Sequence, residues 1–154
     1  MSNLFKCGCA VAILLMASAA ASYAQASLPK KPEVARVPIE VTSSAAFAEV
    51  ILRRTELRSE LESLVLEYTE EFPRVKEIRH VLTLLERDIN RLAKVKPAES
   101  SRLTLALGKL IVRRIELETD LWKLQSNYQD EHPDVKRAKK KVEIYEGSIS
   151  EILN

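Results

Sequence analysis

The amino-acid sequence predicts an all-α fold in which two tandem antiparallel helical hairpins follow a signal peptide and an extended leader. Three observations lead to this prediction. The chain repeats itself at an offset of 60 residues, the apolar residues of each repeat follow a heptad rhythm, and a proline divides each repeat into two arms. The two hairpins could form a four-helix arrangement or coiled coils joined end to end.

The first 26 residues are typical of a signal peptide. Lys6 supplies a positive charge, residues 7–21 are almost wholly apolar, and the sequence Ala-Gln-Ala at 24–26 has the small residues that a signal peptidase requires. We therefore expect cleavage after Ala26 and a periplasmic or secreted protein. The alternative is an uncleaved N-terminal membrane anchor, since the apolar stretch approaches the length that spans a bilayer.

The composition of the remaining chain favours long helices. Cys7 and Cys9 both lie in the predicted signal peptide, so the mature protein would have no thiol and no disulfide. Leu, Ile, Val, Glu, Lys and Arg dominate the rest, which is typical of coiled coils. A formal net charge of +2 argues against a dedicated polyanion binder but leaves room for local charged patches.

Prolines and serines set the predicted domain boundaries. Residues 27–43 contain Pro29, Pro32 and Pro38 without helical periodicity, which predicts a flexible leader. The first hairpin repeat should cover 44–94 and the second 102–154. The linker 95–101 between them contains Pro97 and ends in serines, which we expect to cap the next helix.

The apolar heptads of the two repeats predict a packed seam on one helical face. Its members recur at spacings of three and four residues in both repeats. We interpret the following residues as an interaction seam: Leu57, Leu61, Leu64, Tyr68, Val75, Ile78, Leu82 and Leu85 in the first repeat, and Leu117, Leu121, Leu124, Tyr128, Val135, Val142 and Tyr145 in the second.

Each repeat should turn back at its proline. Proline costs little at the first position of a helix but about 3 kcal/mol inside one, and it forces the preceding residue out of helical conformation. Turns are therefore predicted at Phe72-Pro73 and His132-Pro133, after a first helix of about 26 residues. The alternative is one continuous kinked helix, because the heptad phase runs through the proline without a break.

In such hairpins the arginines of the first arm would face the end of the second arm. Arg54 should lie near Asp88 or Arg91, and Arg114 near Glu151. We expect both arginines to keep their charged heads in solvent. Exposed pairs of this kind contribute about 0.5 kcal/mol each.

The two turn segments, Tyr68 to Val75 and Tyr128 to Val135, share a pattern with a known family. They resemble the Tyr-x-x-x-His-Pro-x-Val segment in the periplasmic coiled coil of polysaccharide co-polymerases, the chain-length determinants and exopolysaccharide transport proteins. The first copy has Phe72 where that family has histidine. The resemblance implies an isolated, duplicated helical module that acts in the periplasm.

The sequence contains no pattern that predicts catalysis, a cofactor or a metal site. His80 and His132 are far apart and neither has a second histidine at metal-ligand spacing. Glu70-Glu71 and Asp130-Glu131 lie at the turns, where no cleft is expected to separate their pKa values. We expect His80 to be solvated and His132 to pack beside Tyr128, and we predict that the protein is not an enzyme.

The strongest local charge feature is a basic run in the second repeat, formed by Lys136, Arg137, Lys139, Lys140 and Lys141. It could bind an anionic glycan or lipid, or it could be an ordinary exposed helix face. Export makes nucleic acid an improbable ligand. Trp122 adjoins the seam and should widen the packed surface of the second repeat.

These patterns predict an interaction or scaffold protein that contacts a protein partner, or another copy of itself, through coiled-coil surfaces. The resemblance implies a setting in envelope polysaccharide export or assembly. The alternative is a periplasmic binding or chaperone-like protein that holds an anionic polymer or an unfolded client on the basic run.

Overall fold

The computed structural model describes residues 37–154, and this part of the chain consists of helices and turns without a β-strand. The predicted signal peptide and residues 27–36 of the predicted leader lie outside the described residues. The helices, in chain order, are α1 (Ile39–Thr42), α2 (Ala45–Leu64), α3 (Pro73–Leu92), a 3₁₀ helix (Pro97–Arg102), α4 (Leu105–Gln125) and α5 (Pro133–Leu153). The predicted all-α fold is confirmed.

Helices α2 and α3 pack against each other as an antiparallel hairpin. At the turn end, Arg74 Nε lies 2.7 Å from Glu60 Oε1. Farther from the turn, Arg54 Nη1 lies 3.2 Å from Glu86 Oε1. The two helices therefore run in opposite directions, so that the end of α2 lies beside the start of α3. The chain folds back at the proline and does not continue as a kinked rod.

Helices α4 and α5 form the second hairpin, and its contacts repeat those of the first. Arg114 Nε lies 3.3 Å from Glu146 Oε2, which is the Arg54–Glu86 pair shifted by the repeat offset. The predicted partners were wrong for both arginines. The hairpin arms meet in a register in which Glu86 and Glu146 lie opposite the arginines.

The long helices begin at equivalent positions in the two repeats. The side chain of Ser44 caps α2 by accepting a 3.3 Å hydrogen bond from Phe47 N, and Thr104 caps α4 in the same way from Leu107 N. The predicted cap at the end of the linker was wrong. Ser100 and Ser101 lie in the 3₁₀ helix, and the chain continues past them before α4 begins.

The first arm of each hairpin ends earlier than the heptad pattern predicts. Helix α2 ends at Leu64, and Tyr68 N donates a 2.8 Å hydrogen bond back to Leu64 O. Phe72 then takes an extended conformation, with φ −60° and ψ 128°, as a residue before proline must. Leu124 and Tyr128 make the same 2.8 Å bond in the second repeat.

The end of the predicted leader is folded. Val41 in α1 is fully buried and Val37 packs against the core. Beside them, Ala46 N donates a 3.1 Å hydrogen bond to Leu103 O. The leader prediction was therefore wrong for residues 37–43. The prolines of this segment indicate a flexible chain, but Val37 and Val41 are spaced so that both reach the same apolar core.

The two hairpins share one core and are not joined end to end. Helix α4 packs against both α2 and α3. It runs parallel to α2 and antiparallel to α3, since Gly108 lies over Ala46 while Lys123 pairs with Glu77. The fully buried core side chains from all parts of this assembly include Val41, Val50, Ile78, Leu85, Leu92, Leu107 and Ile149. Within residues 37–154, no helix is both long and apolar enough to cross a bilayer.

Candidate interaction surfaces

The predicted seam forms the inside of the fold. The buried members are Leu57, Val75, Ile78, Leu85, Leu117 and Val135. The half-buried members are Leu61, Leu64, Leu82, Leu121, Leu124, Val142 and Tyr145. Tyr68 and Tyr128 are exposed, because the helices end before them. Most of the seam residues therefore pack within the chain, so a binding partner would have to contact other surfaces.

A buried ion-pair network joins the hairpins. Arg114 is only 3% exposed. It pairs with the buried Asp88 of α3, and its Nη1 lies 2.7 Å from Glu118 Oε2. Arg87 of α3 donates two hydrogen bonds to the Glu118 carboxylate, at 3.0 and 2.8 Å. The prediction that the guanidinium group of Arg114 stays in solvent was therefore wrong, since the Asp88 carboxylate of the other hairpin covers it.

The network continues to α5 and lines a cleft between the hairpins. Arg91 Nη1 of α3 donates a 2.6 Å hydrogen bond to Glu146 Oε1 of α5. The cleft has a volume of about 380 Å³ and is lined by Arg87, Asp88, Arg91, Arg114, Glu118, Val142 and Glu146. Its three arginines and three carboxylates balance one another. The cleft is therefore lined by facing charges of both signs, and burial raises the pKa of Asp88 against the arginines around it.

The network sets the titration of Glu118. Burial alone would raise the pKa of this carboxyl group, but the hydrogen bond from Arg87 and the charges of Arg87 and Arg114 outweigh burial and lower the pKa below its usual 4.5. The same hydrogen bond raises the pKa of Arg87. Both groups therefore stay charged at neutral pH and hold the hairpins together.

His80 and Trp122 make a second contact between the hairpins. Their rings stack with centroids 4.6 Å apart and planes 14° apart. His80 Nε2 is buried and has no hydrogen-bond partner among the described residues. Burial lowers the pKa of His80 below 6.5. The expected solvated His80 was wrong, and no pattern along the sequence links two residues so far apart.

Both turns lie at one end of the bundle, because α2 and α4 run parallel. We call this end the tip, formed by residues 65–72 and 125–132. Tyr68 stacks on Phe72 with ring centroids 4.2 Å apart, and Tyr128 stacks on His132 at 4.3 Å. The expected packing of His132 beside Tyr128 is confirmed. Leu66 is 86% exposed at the tip.

The predicted basic run lies on the exposed side of α5 near the tip. All five cations are exposed. Three of them form ion pairs: Arg137 with Asp134, Lys139 with Asp130 at 2.9 Å, and Lys140 with Glu143 at 2.9 Å. Lys136 and Lys141 make no ion pair with a described residue. The run is thus less positive than its sequence suggests.

Within residues 37–154, no three His, Cys, Asp or Glu side chains lie together in a way that could hold a metal ion. No protein-family model, curated protein or solved structure matches this chain.

Proposed function

We propose that this protein is an exported, non-enzymatic interaction or scaffold module that presents its tip to a protein partner in the cell envelope. The tip is the observation that carries the proposal. It displays two stacked aromatic pairs in equivalent positions, and Leu66 beside the first pair is 86% exposed. The resemblance of the turns to polysaccharide co-polymerases favours a setting in polysaccharide export or assembly.

The position of the tip supports a spacer role. The described chain begins at Val37, near Leu103 and the start of α4, at the opposite end of the bundle from the turns. Helices of 20 or 21 residues separate the two ends by about 30 Å. A partner bound at the tip would therefore lie at the end of the bundle opposite Val37.

The chemistry of the tip suits recognition of a protein. Tyr68 and Tyr128 are each close to half exposed, and their stacked neighbours restrict their movement. A restrained tyrosine offers a large contact area at low entropic cost, which is why tyrosine is enriched at protein interfaces. Glu70 and Glu71 of the first turn pair with Arg79 and Lys76, and Asp130 of the second turn pairs with Lys139, so each turn carries ion pairs beside its aromatic pair.

A cross-linking experiment in envelope fractions tests the proposal. A photo-reactive group at Leu66 should capture a defined protein. Replacing Tyr68 and Tyr128 by Ser should abolish the capture. The matched control is Ile39→Ser, which alters a 74% exposed apolar residue at the opposite end and should leave capture unchanged. A tip that captures nothing, or captures equally after the tyrosine replacements, contradicts the proposal.

A second candidate function is binding of an anionic glycan, lipid or client on the basic run. The exposure of all five cations favours it, whereas the three ion pairs weaken it. Replacing Lys139, Lys140 and Lys141 by Glu should abolish binding to acidic glycan or to vesicles of anionic lipid. That binding should also weaken steeply with salt, since exposed charges are screened. Binding that does not change with salt concentration would exclude this candidate function.

A further inference from the structure

The duplication supplies an internal template for docking one hairpin on another. In the first hairpin, the groove between α2 and α3 receives α4. Gly108 of α4 approaches Ala46, Arg114 pairs with Asp88, and Trp122 stacks on His80. We call the α2–α3 side of this contact the acceptor groove and the α4 side the donor face. The donor face contains Gly108, Ile111, Arg114, Ile115, Glu118, Thr119 and Trp122.

The acceptor groove has a copy between α4 and α5 that nothing in the described chain fills. Leu84 of the first hairpin is 7% exposed, but its copy Ile144 is 58% exposed. An open cleft of about 330 Å³ lies between α4 and α5 beside Leu117, Leu124 and Ala138. Leu117 and Ala138 are the copies of Leu57 and Ile78, which line a cleft together with Ile115 and Thr119 of α4.

The donor face also has an exposed copy, on α2. Its residues are the copies of Gly108, Ile111, Arg114, Ile115, Glu118, Thr119 and Trp122, namely Ala48, Ile51, Arg54, Thr55, Arg58, Ser59 and Glu62. Ile115 and Thr119 are buried in α4, whereas Thr55 and Ser59 are exposed in α2. Each molecule therefore carries one open acceptor groove and one open donor face.

We propose that two copies of this chain associate head to tail, with the α2 donor face of one copy docked in the α4–α5 acceptor groove of the next. This inference deepens the proposed function, on which it rests, because it names self-association as one of the module's contacts. The template for it is the interface that already joins the hairpins within each molecule.

Opposite charges stand on the two open surfaces near the position of the buried network, although the ion pairs of the network itself are not repeated there. Within the molecule, Arg91 and Glu118 line the same cleft between the hairpins. Their copies have the opposite signs, Glu151 and Arg58. Within the molecule Arg91 pairs with Glu146, and Glu118 pairs with Arg87, whose copy is the uncharged Gly147. Head-to-tail docking would therefore bring Glu151 of one copy and Arg58 of the next to the same cleft, as opposite charges that have no ion pair of this kind in the template. Glu151 has no ion pair with a described residue, and Arg58 reaches Glu86 only at 3.7 Å.

A second complementary pair replaces the aromatic stack. His80 and Trp122 touch within the molecule, and their copies are Lys140 and Glu62. Docking therefore sets a cation against an anion at this position. Glu62 is exposed and makes no ion pair within residues 37–154, while both side chains of the Lys140–Glu143 pair lie largely in solvent. This position therefore supplies a charge match at a contact that the template shows directly.

The contact between copies should be weaker than the contact within one chain. Thr55 replaces the fully buried Ile115, and Ser148 replaces Asp88, so apolar area and the buried ion pair are both reduced. A weaker interface suits reversible association. Because donor and acceptor are different surfaces, the contact is heterologous, and a rotation between copies that does not close a ring extends it as a chain of molecules.

Sedimentation of the purified protein over a wide concentration range tests this inference. Wild-type protein should show reversible, open-ended association. Glu62→Lys and Lys140→Glu should each raise the dissociation constant about tenfold by placing like charges together. The combined variant, with both changes, should restore wild-type association. The controls Glu40→Lys and Lys94→Glu make the same charge changes at exposed positions outside both surfaces and outside the tip, and they should have no effect.

Three results would overturn the inference: wild-type protein that stays monomeric to millimolar concentration, single variants that associate normally, or a combined variant that is not restored. Circular dichroism of each variant verifies its helix content, so a lost interface is separated from a lost fold. Partner capture at Leu66 is measured in the same variants. Capture without self-association contradicts only this inference, whereas absence of capture contradicts the proposed function.

Discussion

Gly108 and Gly147 both lie inside long helices, but only Gly108 is required by packing. A Cβ atom at Gly108 would lie 2.8 Å from Glu49 Cβ and 3.0 Å from Ala46 Cα, whereas nothing lies within 4 Å of a Cβ at Gly147. We predict that Gly108→Ala lowers the free energy of unfolding by about 1–2 kcal/mol, because α2 and α4 must move apart. Urea denaturation measures the change.

Gly147→Ala is the matched control for that substitution. It should raise the free energy of unfolding by about 0.5–1 kcal/mol, because alanine has the higher helix propensity and the site is open. The two substitutions are therefore expected to change the free energy of unfolding in opposite directions in the same assay. Equal stabilisation of both variants would show that α2 and α4 do not approach closely at Gly108.

Glu118 makes the stability of the fold sensitive to acid. Its folded pKa lies below the usual 4.5, so its contribution to stability is fully present above pH 4.5 and is lost as the pH falls through the folded pKa. Glu118→Gln should cost about 2 kcal/mol at pH 7 by weakening the bonds to Arg87 and Arg114. Its stability should then fall less than that of the wild type between pH 5 and 3.

Denaturation midpoints at a series of pH values measure this difference between wild type and Glu118→Gln. The control is Glu143→Gln, which alters an exposed carboxylate on α5 whose ion pair with Lys140 has both side chains largely in solvent. This control should parallel the wild type at every pH. If the denaturation midpoint of Glu118→Gln also followed that of the wild type at every pH, the network would not depend on the Glu118 carboxylate.

At the scale of the element, helices α3 and α4 are joined by a contact that can be followed spectroscopically. Trp122 is the only tryptophan and it stacks on His80, whose pKa is lowered by burial. The nearby charges oppose each other, since Glu118 raises this pKa and Arg87 lowers it. The stacked state therefore favours neutral histidine, and its contribution to stability is present above pH 6.5 and is lost as the pH falls through the folded pKa.

We predict that the fluorescence of Trp122 is constant from pH 8 to 6.5 and changes only at lower pH, when His80 becomes charged. His80→Phe should keep the stack and abolish the change. A fluorescence titration of the two proteins makes the measurement. A midpoint above pH 6.5, or a transition that persists in the Phe variant, would show that His80 is not held neutral by this contact.

The elements themselves were largely predictable from local rules. Pro73 and Pro133 mark the first residues of α3 and α5, because proline is tolerated there and excludes helix before it. The ends of α2 and α4 were not predictable in this way. Tyr68 continues the heptad phase, and only the stacking on Phe72 and the hydrogen bond to Leu64 reveal that it belongs to the turn.

At the scale of the whole molecule, the sequence could predict the hairpins but not how they meet. A repeat makes the two units look equivalent, yet the interface between them depends on residues where the repeats differ. Asp88, His80 and Trp122 have the copies Ser148, Lys140 and Glu62, so no periodic pattern predicts their contacts. Arg114 illustrates the point, since its copy Arg54 is partly exposed while Arg114 is buried by the other hairpin.

A shared core should make both hairpins unfold together. Leu85 of α3 is fully buried in the cluster that also holds Ile111 and Ile115 of α4. Leu85→Ala should therefore destabilise the whole fold by about 2–5 kcal/mol. The fluorescence of Trp122, in the other hairpin, should lose its native value at the same urea concentration as the helical circular dichroism, in wild type and variant alike.

Leu66→Ala is the control for this experiment, because Leu66 is 86% exposed and its removal should leave the midpoint unchanged. Independent hairpins would behave differently from a shared core. In that case Leu85→Ala would shift only part of the circular dichroism signal and leave the Trp122 transition at its wild-type position. Coincident transitions are expected because removing either hairpin would expose Leu85, Leu107 and Ile111 to water, a larger cost than either hairpin alone can offset.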